Sequence, residues 1–170
     1  MYNAGDLIVY GTTGICRVES VGAAAMAGAP ADKLYYKLTP LIRGGVIYTP
    51  TDTRVAMRPA ISREGAESVL RQVPAIEPDD LASHSIHELG EIYAAAISDG
   101  SLTGLAKLAM SIYRRKLTPE KQRCRYGRVD VKYIKLAEEL LCGELSVALG
   151  ERYEDVLQRF FELASMTRGE

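Results

Sequence analysis

Near residue 60 the spacing of apolar residues changes, and with it the kind of structure the chain can build. Before that point they come in short β-branched and aromatic runs separated by turn residues, the pattern of strands. Leu7-Ile8-Val9-Tyr10 lies between Gly5-Asp6 and Gly11. Ile15, Val18 and Val21 follow Gly14. Leu34-Tyr35-Tyr36-Lys37-Leu38 and Val46-Ile47-Tyr48-Thr49 are the third and fourth runs. Gly44-Gly45 separates those two and predicts the turn that pairs them. Pro50 ends the fourth run or sits where no ladder donor is needed. Residues 23–32, AAAMAGAPAD, are small and turn-rich and predict a hairpin tip. Four or five short strands in under sixty residues predict a strongly bent antiparallel β-barrel of Tudor or SH3-like size. A core that small is marginal.

After residue 60 the period is that of helices. Ser62 is a candidate N-cap for a helix to Val73, closed by Pro74, and residues 74–83 read as a loop. Ser85 with Glu88 fits a capping box, opening a helix to about Ser98 with Ile86, Leu89, Tyr93 and Ile97 on one stripe. Ser101 or Thr103 starts the next, with Leu102, Leu105, Leu108, Ala109 and Ile112 inward. Thr118-Pro119-Glu120 is a further start signal. A long helix is expected from about Arg128 to Leu149, with Val131, Ile134, Leu141, Leu145 and Ala148 near its apolar face, stopped by Gly150. The last runs from about Arg152 to Ser165. The fold class is therefore α+β with the classes segregated: a β domain over residues 1–57, then an all-α domain of about five helices over 58–170.

Charge divides the chain differently. Net charge is −1, which by itself says nothing about nucleic acid. Yet residues 107–135 carry ten basic and two acidic residues. The flanking stretches 58–106 and 136–170 each carry three basic and eight acidic ones. A basic segment of that density attracts polyanions through counterion release. Pairing with the acidic flanks is the structural alternative. The candidate phosphate contacts are Arg114, Arg115, Lys116, Lys121, Arg123, Arg125, Arg128 and Lys132. Tyr113, Tyr126 and Tyr133 are interleaved, a combination that suits phosphate contact and stacking. Arg114-Arg115-Lys116 also suits the negative end of a helix dipole. No motif reads base edges, so contact is expected mainly with the DNA backbone.

Other chemistry finds little support. Three cysteines, Cys16, Cys124 and Cys142, are too scattered for a disulfide framework and suit a reducing cytoplasm. No secretory signal or membrane span is expected. His84 and His87 are spaced for one helix face, but the cysteines supply no CxxC partner set, so no metal site is expected. Cys124 lies among Lys121, Arg123 and Arg125, where a thiol pKa can fall, but no nucleophile–base pair is recognisable. Neither Gly44-Gly45 nor Gly11-x-x-Gly14 has phosphate-loop context. No catalytic residue and no cofactor are expected.

The order of motifs adds a resemblance. GDLIVYGTTGICRVESV (residues 5–21), LYYKLTPL (34–41), IYTPTD (47–52) and MRPAIS (57–62) resemble the CarD/CdnL family. The N-terminal module of that family is shared with the polymerase-interacting domain of the transcription-repair coupling factor. In the second half Tyr113-Arg114-Arg115 resembles the family's Y-R-R helix end, and Glu144-Leu145 the E-L near the end of its long helix. The resemblance spans roughly residues 2–150. It implies a barrel that docks on the β subunit of bacterial RNA polymerase, and a helical domain that touches upstream promoter DNA and stabilises the open complex.

By position, Tyr48 and Ala24 stand where family members often carry polymerase-contacting arginines. Arg43, beside Val46, is the neighbouring guanidinium that could re-make the contact. The family's minor-groove wedge, usually a tryptophan, falls near Ser85 or Ile86, in a chain with no tryptophan. The expectation is a non-enzymatic bacterial transcription regulator, cytoplasmic and held at the nucleoid by RNA polymerase, monomeric when free. The alternative is an adapter that keeps the polymerase contact and has lost family-type DNA binding.

Overall fold

The computed structural model describes residues 1–24 and 26–166. The chain divides into two compact units, Met1–Ala60 and Ile61–Glu170.

The first unit is a five-stranded antiparallel sheet. Its strands are β1 (Leu7–Tyr10), β2 (Gly14–Ala23), β3 (Leu34–Pro40), β4 (Ile47–Pro50) and β5 (Met57–Pro59), in the order β4-β3-β2-β1-β5. This is the small antiparallel β domain the sequence predicts, with β4 and β5 at the two ends of the strand order. Alternation along β3 puts Tyr36 and Leu38 inward, and the core gathers Ile8, Cys16 and Val18 around them. Tyr2, Tyr10, Val21, Ile47 and Met57 pack against that cluster. Two buried or half-buried hydroxyls are satisfied within it. The Tyr36 phenol accepts from the Tyr2 backbone N–H at 3.1 Å, and the Tyr10 phenol donates to Thr49 Oγ1 at 3.1 Å. Burial pushes the Cys16 thiol up to about 11.

The β3–β4 turn contains Gly44 and Gly45 at φ of 72° and 87°, the left-handed region that glycine enters without steric cost. Their place in the sequence had marked that turn. Val46 precedes β4, outside the ladder, and strand pairing begins at Ile47. The stretch between β2 and β3 is the expected hairpin tip, and Ala25 within it lies outside the described residues.

The second unit contains α1 (Arg63–Gln72), α2 (Ile86–Asp99), α3 (Leu102–Leu117), α4 (Arg128–Leu149) and α5 (Tyr153–Met166). Local chemistry sets the boundaries. Ser62 and Ser101 each accept an N–H of the first turn, from Gly65 and Gly104. At α2 both halves of the capping box form: Glu88 N donates to Ser85 Oγ, and Ser85 N donates to Glu88 Oε2 at 2.7 Å. That backbone donor holds the Glu88 carboxyl below its usual range, with help from the charge of Arg123. Gly100 and Gly150 close α2 and α4.

Inward stripes of all five helices meet in one core, which includes Leu70, Leu89, Tyr93, Ile112, Leu141 and Phe160. Helix α4 is its spine. The Glu144 carboxylate, buried on α4, accepts the backbone N–H of Ile61 at 2.9 Å and fixes the start of the unit.

Two expectations change here. Thr118-Pro119-Glu120 opens only a 3-10 turn, Pro119–Lys121, because the residues after it carry no helical stripe. Val131 is 52% exposed. The stripe of α4 passes through Ile134, Ala137 and Leu141, and Val131 faces outward.

Removing the α2 cap by Ser85→Ala is expected to lower stability by about 0.5–2 kcal/mol. An unchanged urea unfolding midpoint would show that the capping box carries no such weight.

Candidate nucleic-acid interface and sheet edge

The basic segment runs from the last turn of α3, through residues 118–127, into the first turns of α4. One cation in it behaves unlike the others. Arg115 is 2% exposed and its partner Asp130 0%. Arg115 Nε donates to Asp130 Oδ1 at 2.9 Å and Nη2 to Oδ2 at 3.2 Å, the two-point match of a guanidinium to a carboxylate. Its remaining donors turn to the loop. Nη1 reaches Gln122 Oε1 at 2.8 Å and the Cys124 carbonyl at 2.9 Å, and Nη2 reaches the Arg125 carbonyl at 2.9 Å. Asp130 is saturated in turn: it accepts from the Tyr93 phenol at 2.7 Å and from the Gly127 N–H at 2.8 Å. Expected among the phosphate-facing cations, Arg115 is withdrawn from the surface. Its place on α3, three residues after Ile112 and seven after Leu108, lies on the buried stripe.

Electrostatics follow this geometry. Burial pulls the Arg115 pKa down, but the hydrogen bond and charge of Asp130 outweigh it, and the net direction is up. Burial first, then the bond to Asp130, push the Tyr93 phenol well above its usual range.

The remaining predicted cations are exposed: Arg114, Lys116, Lys121, Arg123, Arg125, Arg128 and Lys132. Among the described residues these seven form no ion pair, although Arg123 and Lys116 lie close enough to Glu88 and Glu138 to favour their charged forms. Several are held by other means. Lys116 stands 5.8 Å from the Tyr126 ring centroid and Lys132 5.2 Å from that of Tyr133. Arg114 Nη1 lies 3.5 Å from the Pro78 carbonyl. Arg128 opens α4, the end of a helix whose dipole disfavours a cation and favours an anion.

The interleaved tyrosines are not free platforms. Tyr113 packs on Phe161 at 5.3 Å, Tyr133 on Tyr93 at 5.5 Å, and Tyr126 joins the core. All three are half-buried, so only part of each ring faces outward.

The loop is also tied to the approach to α2. Arg123 N donates to the Ala82 carbonyl at 2.7 Å, and Arg123 Nη1 lies 3.4 Å from the Ser83 carbonyl. Cys124 Sγ lies 3.6 Å from the His84 carbonyl. Ile86, the first residue of α2, is 58% exposed. An uncovered aliphatic side chain therefore begins the helix that follows the residues to which the arginine loop is tied.

In the first unit, Arg43, Val46 and Tyr48 follow one another along the β3–β4 turn and β4, an edge of the sheet. Tyr48 pairs opposite Lys37. Val46 is 53% exposed, Arg43 is exposed and Tyr48 half-buried. Ala24, half-buried, follows β2 at the opposite end of β3, since Ala23 pairs with Leu34. The structure thus groups three of the four predicted polymerase-facing residues and sets Ala24 apart.

A scan against family models matches residues 2–61 to the CarD-like/TRCF RID domain. The first unit is similar to that domain. The match covers that unit and ends where the helical one begins. No curated protein matches the chain. An RID domain supports RNA polymerase as a partner and a role connected with transcription. Among the described residues no helix is long and apolar enough to cross a membrane, and no group of three or more His, Cys, Asp or Glu could hold a metal ion.

Residues whose part in this cluster the sequence did not indicate are Tyr93, placed only on an apolar stripe, Gln122 and Asp130. Asp130 carried a signal, being one of two acids among ten cations.

Arg115→Ala leaves the Asp130 carboxylate buried without its partner and is expected to destabilise by about 3–5 kcal/mol. Lys121→Ala is expected to stay within about 0.5 kcal/mol. Equal shifts in chemical denaturation would contradict the separation of the two roles. Because Tyr93 is raised, the stability it contributes is complete below pH about 10 and is lost as pH rises further. The advantage of wild type over Tyr93→Phe is expected to shrink in alkaline unfolding, and a constant difference would refute it.

Proposed function

We propose that the chain is a non-enzymatic bacterial transcription regulator that links RNA polymerase to promoter DNA. The RID domain contacts the β subunit along the β4 edge, where Arg43, Val46 and Tyr48 lie and where an edge strand leaves backbone groups open to a partner. The helical unit contacts the DNA backbone through Arg114, Lys116, Lys121, Arg123, Arg125, Arg128 and Lys132, and the two contacts together stabilise the open promoter complex. The observation that carries this reading is a set of seven exposed cations that form no ion pair among the described residues, in a chain whose residues 2–61 match the RID domain.

Duplex is the preferred substrate, since the tyrosines of the segment are half-buried against other side chains and single-strand binding relies on free aromatic faces. The thiols fit a non-enzymatic role. Burial pushes Cys142 up to about 12, and Cys124 addresses the backbone of His84 rather than its ring.

A second reading is favoured by one feature, the absence of tryptophan. Ile86 offers less planar surface for unstacking a base step. In this reading the chain is an adapter on RNA polymerase whose helical unit has another use.

Charge reversal at Arg123, Arg125 and Arg128 is expected to weaken retention of duplex DNA and to reduce the salt slope by about one unit per lost phosphate contact. The same variant should still capture RNA polymerase, whereas Tyr48→Ala with Arg43→Ala should lose capture. Retention of DNA by the reversed variant would remove the basic loop from the mechanism and leave the adapter reading.

A further inference from the structure

We propose that Arg115, Asp130 and Tyr93 are positioning residues for polyanion binding: their buried hydrogen-bonded cluster fixes the loop so that Arg123 and Arg125 face outward together. The inference rests on the DNA reading above.

The first ground is donor arithmetic. A guanidinium has five N–H groups. Those of Arg115 are distributed over both oxygens of Asp130, the Gln122 amide oxygen and the carbonyls of Cys124 and Arg125. One side chain therefore holds the carbonyls of Cys124 and Arg125 and the side chain of Gln122. The second ground is the pattern that results. Gln122, Cys124 and Tyr126 are half-buried, while Arg123 and Arg125 between them are exposed. That in–out alternation is held from one side by the carbonyls that Arg115 bonds and from the other by the Arg123 N–H on the Ala82 carbonyl.

The third ground is charge. The exposed cations repel one another, and an acid placed among them at the surface would order the loop but cancel the field. Asp130 avoids this because it is fully buried and spends its charge on Arg115. Order is supplied from below, and the outer cations keep their positive potential. Cations already held in place bind phosphates without the ordering cost of a mobile loop. The Tyr93 hydroxyl extends the cluster to α2, whose first residue is Ile86.

The deciding experiment exploits an opposition of signs. Asp130→Asn removes a negative charge from a basic region, so simple electrostatics demands tighter DNA binding. Loss of loop order demands weaker binding. We expect about five- to tenfold weaker binding to a duplex of arbitrary sequence at fixed salt, with a smaller salt slope. Faster trypsin cleavage after Lys121, Arg123 and Arg125 should accompany it.

Arg115→Lys keeps the charge and loses the fork, and should move in the same direction. Tyr93→Phe removes one hydroxyl and should give a smaller loss of the same sign. It carries the test if Asp130→Asn fails to fold. Unchanged or tighter binding by folded Asp130→Asn or Tyr93→Phe, in a protein whose wild type binds duplex, overturns the positioning role and leaves the DNA reading intact. A wild type that binds no duplex overturns the DNA reading first, and the positioning role with it.

Discussion

Burying a guanidinium and a carboxylate side by side is a demanding arrangement, and in this chain much of the helical unit is organised around it. Desolvating both charges costs several kcal/mol per ion, so the pair persists only if nearly every lone pair and N–H is satisfied. Arg115 and Asp130 meet that condition by recruiting four separate pieces of chain: the end of α3, residues 122–127, the start of α4 and Tyr93 of α2. The benefit is specification more than stability. A loop with a proline, few apolar side chains and many like charges has no core to fold against. The buried pair gives it one geometry.

The two units solve different problems. The first unit has five buried hydrophobic residues at the centre of its cluster and relies on register, turn glycines and paired hydroxyls. Its outward resource is backbone at a sheet edge. The helical unit has a far larger apolar core and can tolerate a strained electrostatic surface above it. A concentration of unpaired cations at one end of α3 and the start of α4 opposes folding, and the core bears that opposition. The distribution of charge along the chain thus matches the capacity of each unit to carry it.

Much of this was legible from residue spacing alone. Ser62, Ser85 with Glu88, and Gly150 mark helix ends because a cap is a local bond between residues three or four apart. Gly44-Gly45 marks a turn for the same reason. The family resemblance was read over roughly residues 2–150, and the family model matches its β part, residues 2–61. What spacing could not show was partnership across 15 or 37 residues. Arg115 sits in a run of three cations and looks like its neighbours until the stripe through Leu108 and Ile112 is extended to it. Asp130 looks like an ordinary helix-start acid. Val131 failed for a related reason: a β-branched residue in the first turn of an amphipathic helix can face either way, and only the packing of the later turns decided it.

The proposed mechanism has an internal constraint that follows from these placements. Phosphate contacts carry no information about sequence and little about strand state. A ligand that binds closed and open promoter DNA equally shifts nothing between them, however tightly it holds. The arginine loop alone therefore supplies affinity, and selectivity for the open complex has to come from elsewhere. Two sources are compatible with the chain. One is Ile86, whose exposed aliphatic side chain begins the helix that follows the residues to which the loop is tied and can enter a step already loosened at the edge of a bubble. The other is the RID domain: tethering to polymerase raises the local concentration of the cations only near DNA that polymerase itself has placed. In the second case the unstacking residue is dispensable. A chain without tryptophan then differs from a wedge-bearing one in where its selectivity arises, with polymerase geometry taking the place of base unstacking.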